Sequence, residues 1–467
     1  FPELLGAEFG KVVTAFPPEP SKYPHIGHAK AALLNFLYAK KYGGKFILRF
    51  EDTNPEMVKK EYYKAMIEGM KWLEIKWDEL DYSSDHMKDF YEAVEKLILE
   101  NKAYVCLCKV GTIRKNRASG KECKHRLQTP AENFELWEKM REEFKEGEAV
   151  VRLKIDMKHV NTTMRDPTIM RIIEASHPRV KKKYRVWPLY DFGTAMMDCW
   201  EGVTHRLRSK EFEIRKELQH YIQRLFGFKP TKTIEFGRLN LKGVPTSGRI
   251  IREMIKKRKL LGWDDPRLTT LMALRKRGFV PQAIKNFILL TGISKAEGIV
   301  SWKILEAENR KVVDPIANRY MVVLNPIKIS LKNAPEIKEV KINLHPDFPE
   351  RGFRRIPVNM KKIWIERKDY ERYKNKEVGL MYLATVRIGA KSRFISREVS
   401  LDIQKIHWCS EPNLKIKIVM PNGKIVKAFG EPEIKRLKKG EIIQMPRVGF
   451  ARIEKKYKDI ILYYTHK

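Results

Sequence analysis

Apolar and polar positions along this chain switch between two periods, and the switches mark its elements. Lys11-Val12-Val13-Thr14-Ala15-Phe16 has the β-branched, apolar content of a buried strand. Pro17-Pro18-Glu19-Pro20 breaks it. Ala32, Leu33, Phe36 and Leu37 then recur at helical spacing until Gly43-Gly44 stops the helix. Lys45 to Glu51 reads as a second strand, which gives a β-α-β unit with a right-handed crossover. Residues 56–74 and 86–101 have helical spacing, with Met66, Met70 and Leu73 on one face and Phe90, Val94 and Leu97 on another; both stripes are expected in the core. Residues 103–185 read as an insertion with short strands such as Ala149 to Ile155. Arg185 to Tyr190 is expected to return to the first sheet, whose second half runs to about residue 245. Residues 248–320 read as mostly helical, with start signals at Asp264-Asp265-Pro266 and Val280-Pro281.

Beyond residue 320 the period shortens. Tyr320 to Leu324, Ile363 to Ile365, Met381 to Ile388, Lys415 to Met420, Gly449 to Ile453 and Ile460 to Tyr463 are short strands between turns, of which Pro421-Asn422-Gly423 is the strongest signal. This pattern predicts an all-β module of one or two barrels.

Charge changes the picture next. The 467 residues carry a formal net charge of +36. Residues 321–467 hold 33 Lys and Arg against 16 Asp and Glu, about twice the positive density of the rest. A polyanion partner, nucleic acid before acidic membrane, suits such a chain, although Lys- and Ile-rich thermophile chains are often basic without one. No run of about 18 apolar residues is present, so no membrane span is expected. No signal-peptide pattern is present, and the chain starts at Phe1, so further residues are expected upstream. Five cysteines in so long a chain make no disulfide framework, and a reducing cytoplasm is the expected compartment.

Two clusters carry candidate chemistry. His25-Ile26-Gly27-His28 lies between the first strand and the first helix, where helix N–H groups favour a phosphate and Gly27 permits close approach. Four letters alone favour an ordinary turn. Cys106-Leu107-Cys108 and Cys123-Lys124-His125, 14 residues apart, offer two close ligand pairs for tetrahedral zinc; two packing cysteines with incidental neighbours is the other reading.

The stretches Phe16 to Ser21, Tyr23 to Asn35, Arg49 to Pro55, Tyr190-Asp191-Phe192, Glu201 to His205 and Trp263 to Leu268 closely resemble class I glutamyl- and glutaminyl-tRNA synthetases, and Glu51-Asp52 leans towards archaeal-type glutamyl enzymes. The resemblance implies a multidomain α/β plus all-β fold. Residues 1–102 and 186–247 would form the two halves of a Rossmann-type catalytic domain. Residues 103–185 would be an acceptor-binding insertion with the zinc site, 248–320 a helical stem-contact domain, and 321–467 a β-barrel anticodon-binding region, separable from the basal fold of the rest. In that region Trp364 and Tyr382 are candidates to stack on bases, though barrel core is the commoner place for either ring.

The implied reaction is ATP-dependent activation of L-glutamate to glutamyl-adenylate, then transfer to the 3′ end of tRNA. His25 and His28, with Ser247 and Arg249 of a mobile loop, would be catalytic. Glu19, Pro20, Ser21, His25, Ile26, Gly27, His28, Ala29, Lys30, Ala31, Ser209, Arg238 and Leu239 would bind ATP, with Mg²⁺ accompanying it. Glu51, Tyr190, Thr194 and Arg208 would bind glutamate, and Cys106, Cys108, Cys123 and His125 a structural Zn²⁺. A monomer is expected. The sequence leaves open whether tRNA for glutamine is also charged. Two positions depart from the family pattern: Ala15 stands where an arginine helps recognise the amino acid, and Gly248 where a lysine stabilises pyrophosphate. Losing one such stabiliser typically costs about 3–4 kcal/mol. A glutaminyl enzyme, or a tRNA-binding relative with weakened activation chemistry, is the alternative.

Overall fold

The computed structural model describes residues 2–296, 298–456 and 459–467. The chain divides into two compact units: residues 1–240 with 288–299, and residues 241–287 with 300–467.

The first unit starts with the predicted β-α-β. Strand β1 (Val13–Phe16), helix α1 (Ile26–Lys41) and strand β2 (Lys45–Phe50) follow in order. β1 and β2 pair in parallel, with Ala15 opposite Ile47. Gly43, at a φ of +59°, ends the helical turn as glycine can. Helix α2 (Lys60–Trp72) leads to β3 (Glu79–Tyr82), which pairs in parallel with β2. Helix α3 (Met87–Leu99) buries Phe90, Val94 and Leu97 as its spacing predicts.

Four antiparallel strands follow in sheet order: β4 (Ala103–Cys106), β5 (Val150–Leu153), β6 (Thr168–Ile172) and β7 (Val186–Pro188). The helices α4 (Val110–Ser119) and α5 (Pro130–Glu142) lie between β4 and β5 in the chain. β7 corrects one expectation. Residues 185–190 do not return to the first sheet, because Trp187 pairs with Arg171 and closes the insertion's own sheet. An apolar extended run names no partner, and here the nearer strand in the chain takes it.

Helix α6 (Tyr190–Trp200), strand β8 (His205–Ser209), helix α7 (Lys216–Leu225) and strand β9 (Lys232–Phe236) complete the unit. β8 and β9 are parallel. Thr204 joins this pair to β1: Val13 N–H donates to Thr204 Oγ1 at 2.9 Å, and Thr204 N–H to Val13 O at 2.9 Å. Past that contact Asn35, fully buried on α1, stands in for the ladder. Its side chain bonds both the N–H and the C=O of Leu207, and its own C=O accepts from Thr14 Oγ1. The strand order β9-β8-β1-β2-β3 therefore reverses direction of winding at β1 and β8, and ligands of such sheets bind beyond the strand carboxyl ends at that switch.

In the second unit, helix α8 (Gly248–Lys256) starts a helical stretch that includes Leu271–Arg277 and Trp302–Val313. A seven-stranded sheet follows, whose two edges are Asn318–Arg319 and Val322–Leu324. Two residues separate these edges in the chain, so they lie within about 10 Å and the sheet has to curl round on itself. Its core includes Val322, Ile418, Ala451 and Leu462. A second β-rich lobe, with Ile363, Val386 and Trp408 at its core, is built from residues 326–410, and Met321 and Val323 pack into that core from the edge of the seven-stranded sheet. Arg447 ties the two lobes together with bonds of 2.7 and 3.0 Å to Asp369.

The expected independence of residues 321–467 does not hold. Arg277 Nη2 donates to Thr465 O at 2.8 Å, and buried Asn309 bonds His466 Nε2 at 2.9 Å. The helices before residue 320 share their interior with the last strand. Trp364 is half-buried, packed edge-on against Phe429, whereas Tyr382 is 52% exposed.

Candidate active site and metal centre

His25 is the N-cap of α1. Its Nδ1 accepts the Gly27 N–H at 3.0 Å, and His28 Nδ1 accepts the His25 N–H at 3.1 Å. A Cβ on residue 27 would fall 2.8 Å from His25 Cε1, so glycine is what lets the ring fold back over the helix start. The ring centroids are 4.0 Å apart. Burial pushes His25 down to about 3, with Lys22 and Arg238 adding to the effect, and drives His28 well below the ordinary value, with His25 and Lys22 adding. Both imidazoles are therefore neutral. A neutral imidazole that accepts at Nδ1 carries its proton at Nε2. Two N–H donors, neither with a protein partner among the described residues, thus stand at a helix N-terminus.

The other expected ATP residues gather on the same unit. Glu19 accepts from Ser21 Oγ at 2.9 Å. Pro20, Ile26 and Ala29 are buried, and Ala31 is half-buried. Lys30 is buried, and its Nζ turns to Gly237 O at 3.3 Å and the Phe236 ring; burial lowers its pKa. Ser209 Oγ is buried without a partner among the described residues. Arg238 pairs with Glu211, and Leu239 is buried. Ser247 and Arg249, both exposed, belong to the second unit, at the start of α8 next to buried Gly248.

The expected glutamate residues sit on a buried charged network. Glu51 Oε1 pairs with Arg49 at 2.9 Å. Arg49 is fully buried and also meets Asp198 at 3.0 Å, Glu201 at 2.6 Å and Thr194 Oγ1 at 3.2 Å. Thr194 thus supports Arg49 from α6. Burial raises Glu201 to about 7, with Asp81 and Glu51 adding to the rise against the pull of Arg49. Asp198 also pairs with Arg206, so it bridges β2 and β8. Ala15, 1% exposed, lies on the intervening strand and on the same face, beside Ile47. Arg208 Nη1 donates to Gln219 Oε1 at 2.7 Å and its Nη2 to Phe212 O at 3.2 Å. Tyr190 packs on Phe212 with centroids 5.3 Å apart. Asp52 anchors the strand end: Tyr63, Ser84 N–H and Ser84 Oγ bond its carboxylate at 2.7–2.8 Å.

Asn35, Arg49, Asp198, Arg206 and Gln219 were not foreseen. Arg49 had a signal, as a lone charge inside Phe46-Ile47-Leu48-Arg49-Phe50. Arg206 and Arg208 also share one strand face by their i, i+2 spacing. Gln219 had none.

The cysteine cluster assembles as its spacing suggests. Cys106 ends β4, and Cys123 and His125 follow α4. Cys106 and Cys123 sulfurs are 3.7 Å apart, and His125 Nδ1 lies 3.6 Å from Cys108 and 3.9 Å from Cys106. All four ligand atoms lie within 4.8 Å of one another. Ligands held tetrahedrally at about 2.0–2.3 Å stand about 3.5–3.8 Å apart, so the donor set fits zinc. Arg152 Nη1, 3.9 Å from both Cys106 and Cys123, offsets the negative charge three thiolates would bring.

Comparison with known proteins fixes the class. The family model for the catalytic domain of class I tRNA synthetases (E and Q) matches residues 11–315, and two models for the anti-codon binding domain of that family match residues 317–404 and 405–454. The chain belongs to the class I tRNA synthetases of the glutamate and glutamine group. Over 100% of its length it is 43% identical to the glutamate–tRNA ligase of Pyrococcus furiosus, and it spans 84% of that protein. The glutamate–tRNA ligase of Korarchaeum cryptofilum is 41% identical over 98% of the chain and 84% of that protein. Among solved structures, a glutamate–tRNA synthetase from Elizabethkingia anophelis shares the fold with a TM-score of 0.50 at 21% identity, over 66% of this chain and 72% of that one. Among the described residues no helix is long and apolar enough to cross a membrane.

Proposed function

We propose that this chain is an archaeal-type glutamate–tRNA ligase, which activates L-glutamate with ATP and transfers it to the 3′ end of tRNA. Its full-length likeness to ligases of that name carries the reading. The two neutral histidines support it chemically. Their Nε2–H groups donate to phosphate oxygens as negative charge builds around the α-phosphorus, and being neutral they need no proton from solvent. Glu51 receives the α-ammonium of glutamate, and Arg208 its side-chain carboxylate. Tyr190 lines the space between them. The glutamate carboxylate attacks the α-phosphate, pyrophosphate leaves, and a terminal ribose hydroxyl of tRNA then displaces AMP. No covalent enzyme intermediate is needed, so catalysis is positioning and charge stabilisation.

In this reading Mg²⁺ accompanies ATP, Ser247 and Arg249 act at the start of α8, where Gly248 stands in place of the family lysine, and Lys30 contributes by fixing the α1 start against Gly237. Cys106, Cys108, Cys123 and His125 hold a structural Zn²⁺, which cross-links the insertion. Residues 321–467 read the anticodon. The protein works as a monomer in the cytoplasm.

The test is charging of tRNA with labelled glutamate and, separately, labelled glutamine. Glutamate is expected to be transferred and glutamine not. Preferential transfer of glutamine overturns the reading in favour of a glutaminyl enzyme. Binding of tRNA with no activation of either amino acid overturns it in favour of a relative that Ala15 and Gly248 have disarmed.

A further inference from the structure

The buried arginines of the first unit are not equivalent. Arg49 faces three carboxylates, those of Glu51, Asp198 and Glu201. Arg206 has Asp198, and the half-exposed Arg215 beside them has Asp191 at 2.6 Å. Arg208 is 7% exposed and, among the described residues, has no carboxylate partner. Its two terminal nitrogens are held by neutral oxygens, the Gln219 amide and the Phe212 backbone carbonyl, and its Nε is buried without a partner.

Gln219 makes this arrangement possible. It lies on α7 and is 1% exposed. Its Oε1 accepts from Arg208 Nη1 at 2.7 Å and from Arg206 Nη1 at 2.6 Å, while its Nε2 donates to Asp191 Oδ1 at 2.9 Å. An acid on one side and two guanidinium groups on the other admit only one orientation of the amide. A buried cation without a counter-ion is costly, and a neutral acceptor satisfies its donors without cancelling its charge.

We infer that Gln219 is a positioning residue for substrate selection: it holds Arg208 in place through an uncharged oxygen, so that the carboxylate of the amino-acid substrate is the counter-ion Arg208 lacks. This rests on Arg208 as the side-chain site proposed above. A substrate carrying a side-chain amide instead leaves the charge uncompensated, and the site discriminates against it. Arg206, already neutralised by Asp198, serves as the second clamp on the Gln219 oxygen. A glutamate at position 219 would have the same shape and would itself occupy the role of counter-ion.

The test is Gln219→Glu in the full chain, with charging kinetics at saturating tRNA. The KM for glutamate is expected to rise on the order of 10- to 100-fold, with kcat within about threefold and the KM for ATP unchanged. The preference for glutamate over glutamine falls by a similar factor. Because the new carboxylate would face Asp191, the same change is also made in an Asp191→Asn background and compared with Asp191→Asn alone, where the expected ratios are the same. An unchanged KM for glutamate in both backgrounds overturns the inference, as does a loss confined to kcat. Arg208→Ala separates the two levels of the argument. If it raises the KM for glutamate and Gln219→Glu does not, only the role of Gln219 fails. If Arg208→Ala also leaves that KM unchanged, the glutamate site itself is misassigned.

Discussion

His28 Nδ1 accepts the backbone N–H of His25 at 3.1 Å, and that bond decides which nitrogen of His28 carries its proton. With His25 pinned in the same way by Gly27, both rings are set as neutral donors before any ligand arrives. His25→Ala or His28→Ala is expected to lower the activation rate by about 100-fold or more. The pH behaviour follows from the shift of His25 to about 3. Its folded-state pKa lies below the unfolded 6.5, so its contribution to stability is complete above pH 6.5 and is lost as pH falls towards 3. The His25 imidazole resonance should stay flat from pH 8 to pH 5; a midpoint near 6.5 in that range contradicts the neutral assignment.

Zinc should be measurable at about one ion per chain, with metal–sulfur distances near 2.3 Å by X-ray absorption. Cys108→Ser is expected to weaken retention of the ion against a chelator. Purified protein free of metal, with no gain in thermal stability when zinc is added, contradicts the site.

Ala15→Arg looks from sequence like a repair that restores a family arginine and sharpens selection of glutamate. The fold argues otherwise. Ala15 lies between Arg49 and Arg206 on the face that Asp198 bridges, and a third guanidinium there meets two of its own sign. The substitution should destabilise the protein by on the order of 3 kcal/mol. Combined with Arg206→Leu, which frees Asp198 to accept the introduced cation, it should cost less than the two single changes together. Denaturant unfolding of the four variants measures that coupling; strict additivity counts against the account.

Glu366 gives a second pH window. Burial alone raises its pKa, but His407, 3.3 Å away, and Lys368, at 2.6 Å, bring it down to about 2. Its folded pKa lies below the ordinary 4.5, so its stabilising effect is complete above pH 4.5 and is lost as pH falls through 2. Allowing for the exposed Lys368 partner, the effect is about 1–2 kcal/mol. Glu366→Gln should make acid unfolding shallower across that window, and an unchanged acid profile removes this pair as a contributor.

For tRNA, the interlocked second unit makes truncation at residue 320 a poor experiment, and point changes replace it. Lys341 lies 3.6 Å from the centroid of the exposed Phe353 ring, and Arg355 shares its strand face. Lys341→Glu with Arg355→Glu should flatten the log–log salt dependence of tRNA binding by about 1–2 units, and Tyr382→Ala should weaken binding by about 1–3 kcal/mol if a base stacks there. Unchanged salt slope and affinity move the contact surface elsewhere.

Local pattern sufficed where the decisive contacts are local. The β1-α1-β2 unit, the helix start at His25 and the paired ligands at Cys106 and Cys123 each lie within about 40 residues, and each was legible. The strand at Val186–Pro188 was visible as a strand, but its partner was not, because pairing is a property of the sheet. Arg206 and Gln219 are 13 positions apart, and Arg49 and Asp198 149 apart. No periodicity reports that these side chains meet.

The contact between Asn309 and His466 has a consequence for synthesis. Residues emerge from the ribosome in order, and domains tend to fold as they appear. The second unit is an exception in its own interior. Its helices at 271–277 and 302–313 can pack on each other and on residues 251–268 as they emerge, but the bonds of Arg277 to Thr465 and of Asn309 to His466 form only after translation has passed residue 466, so their interior closes last.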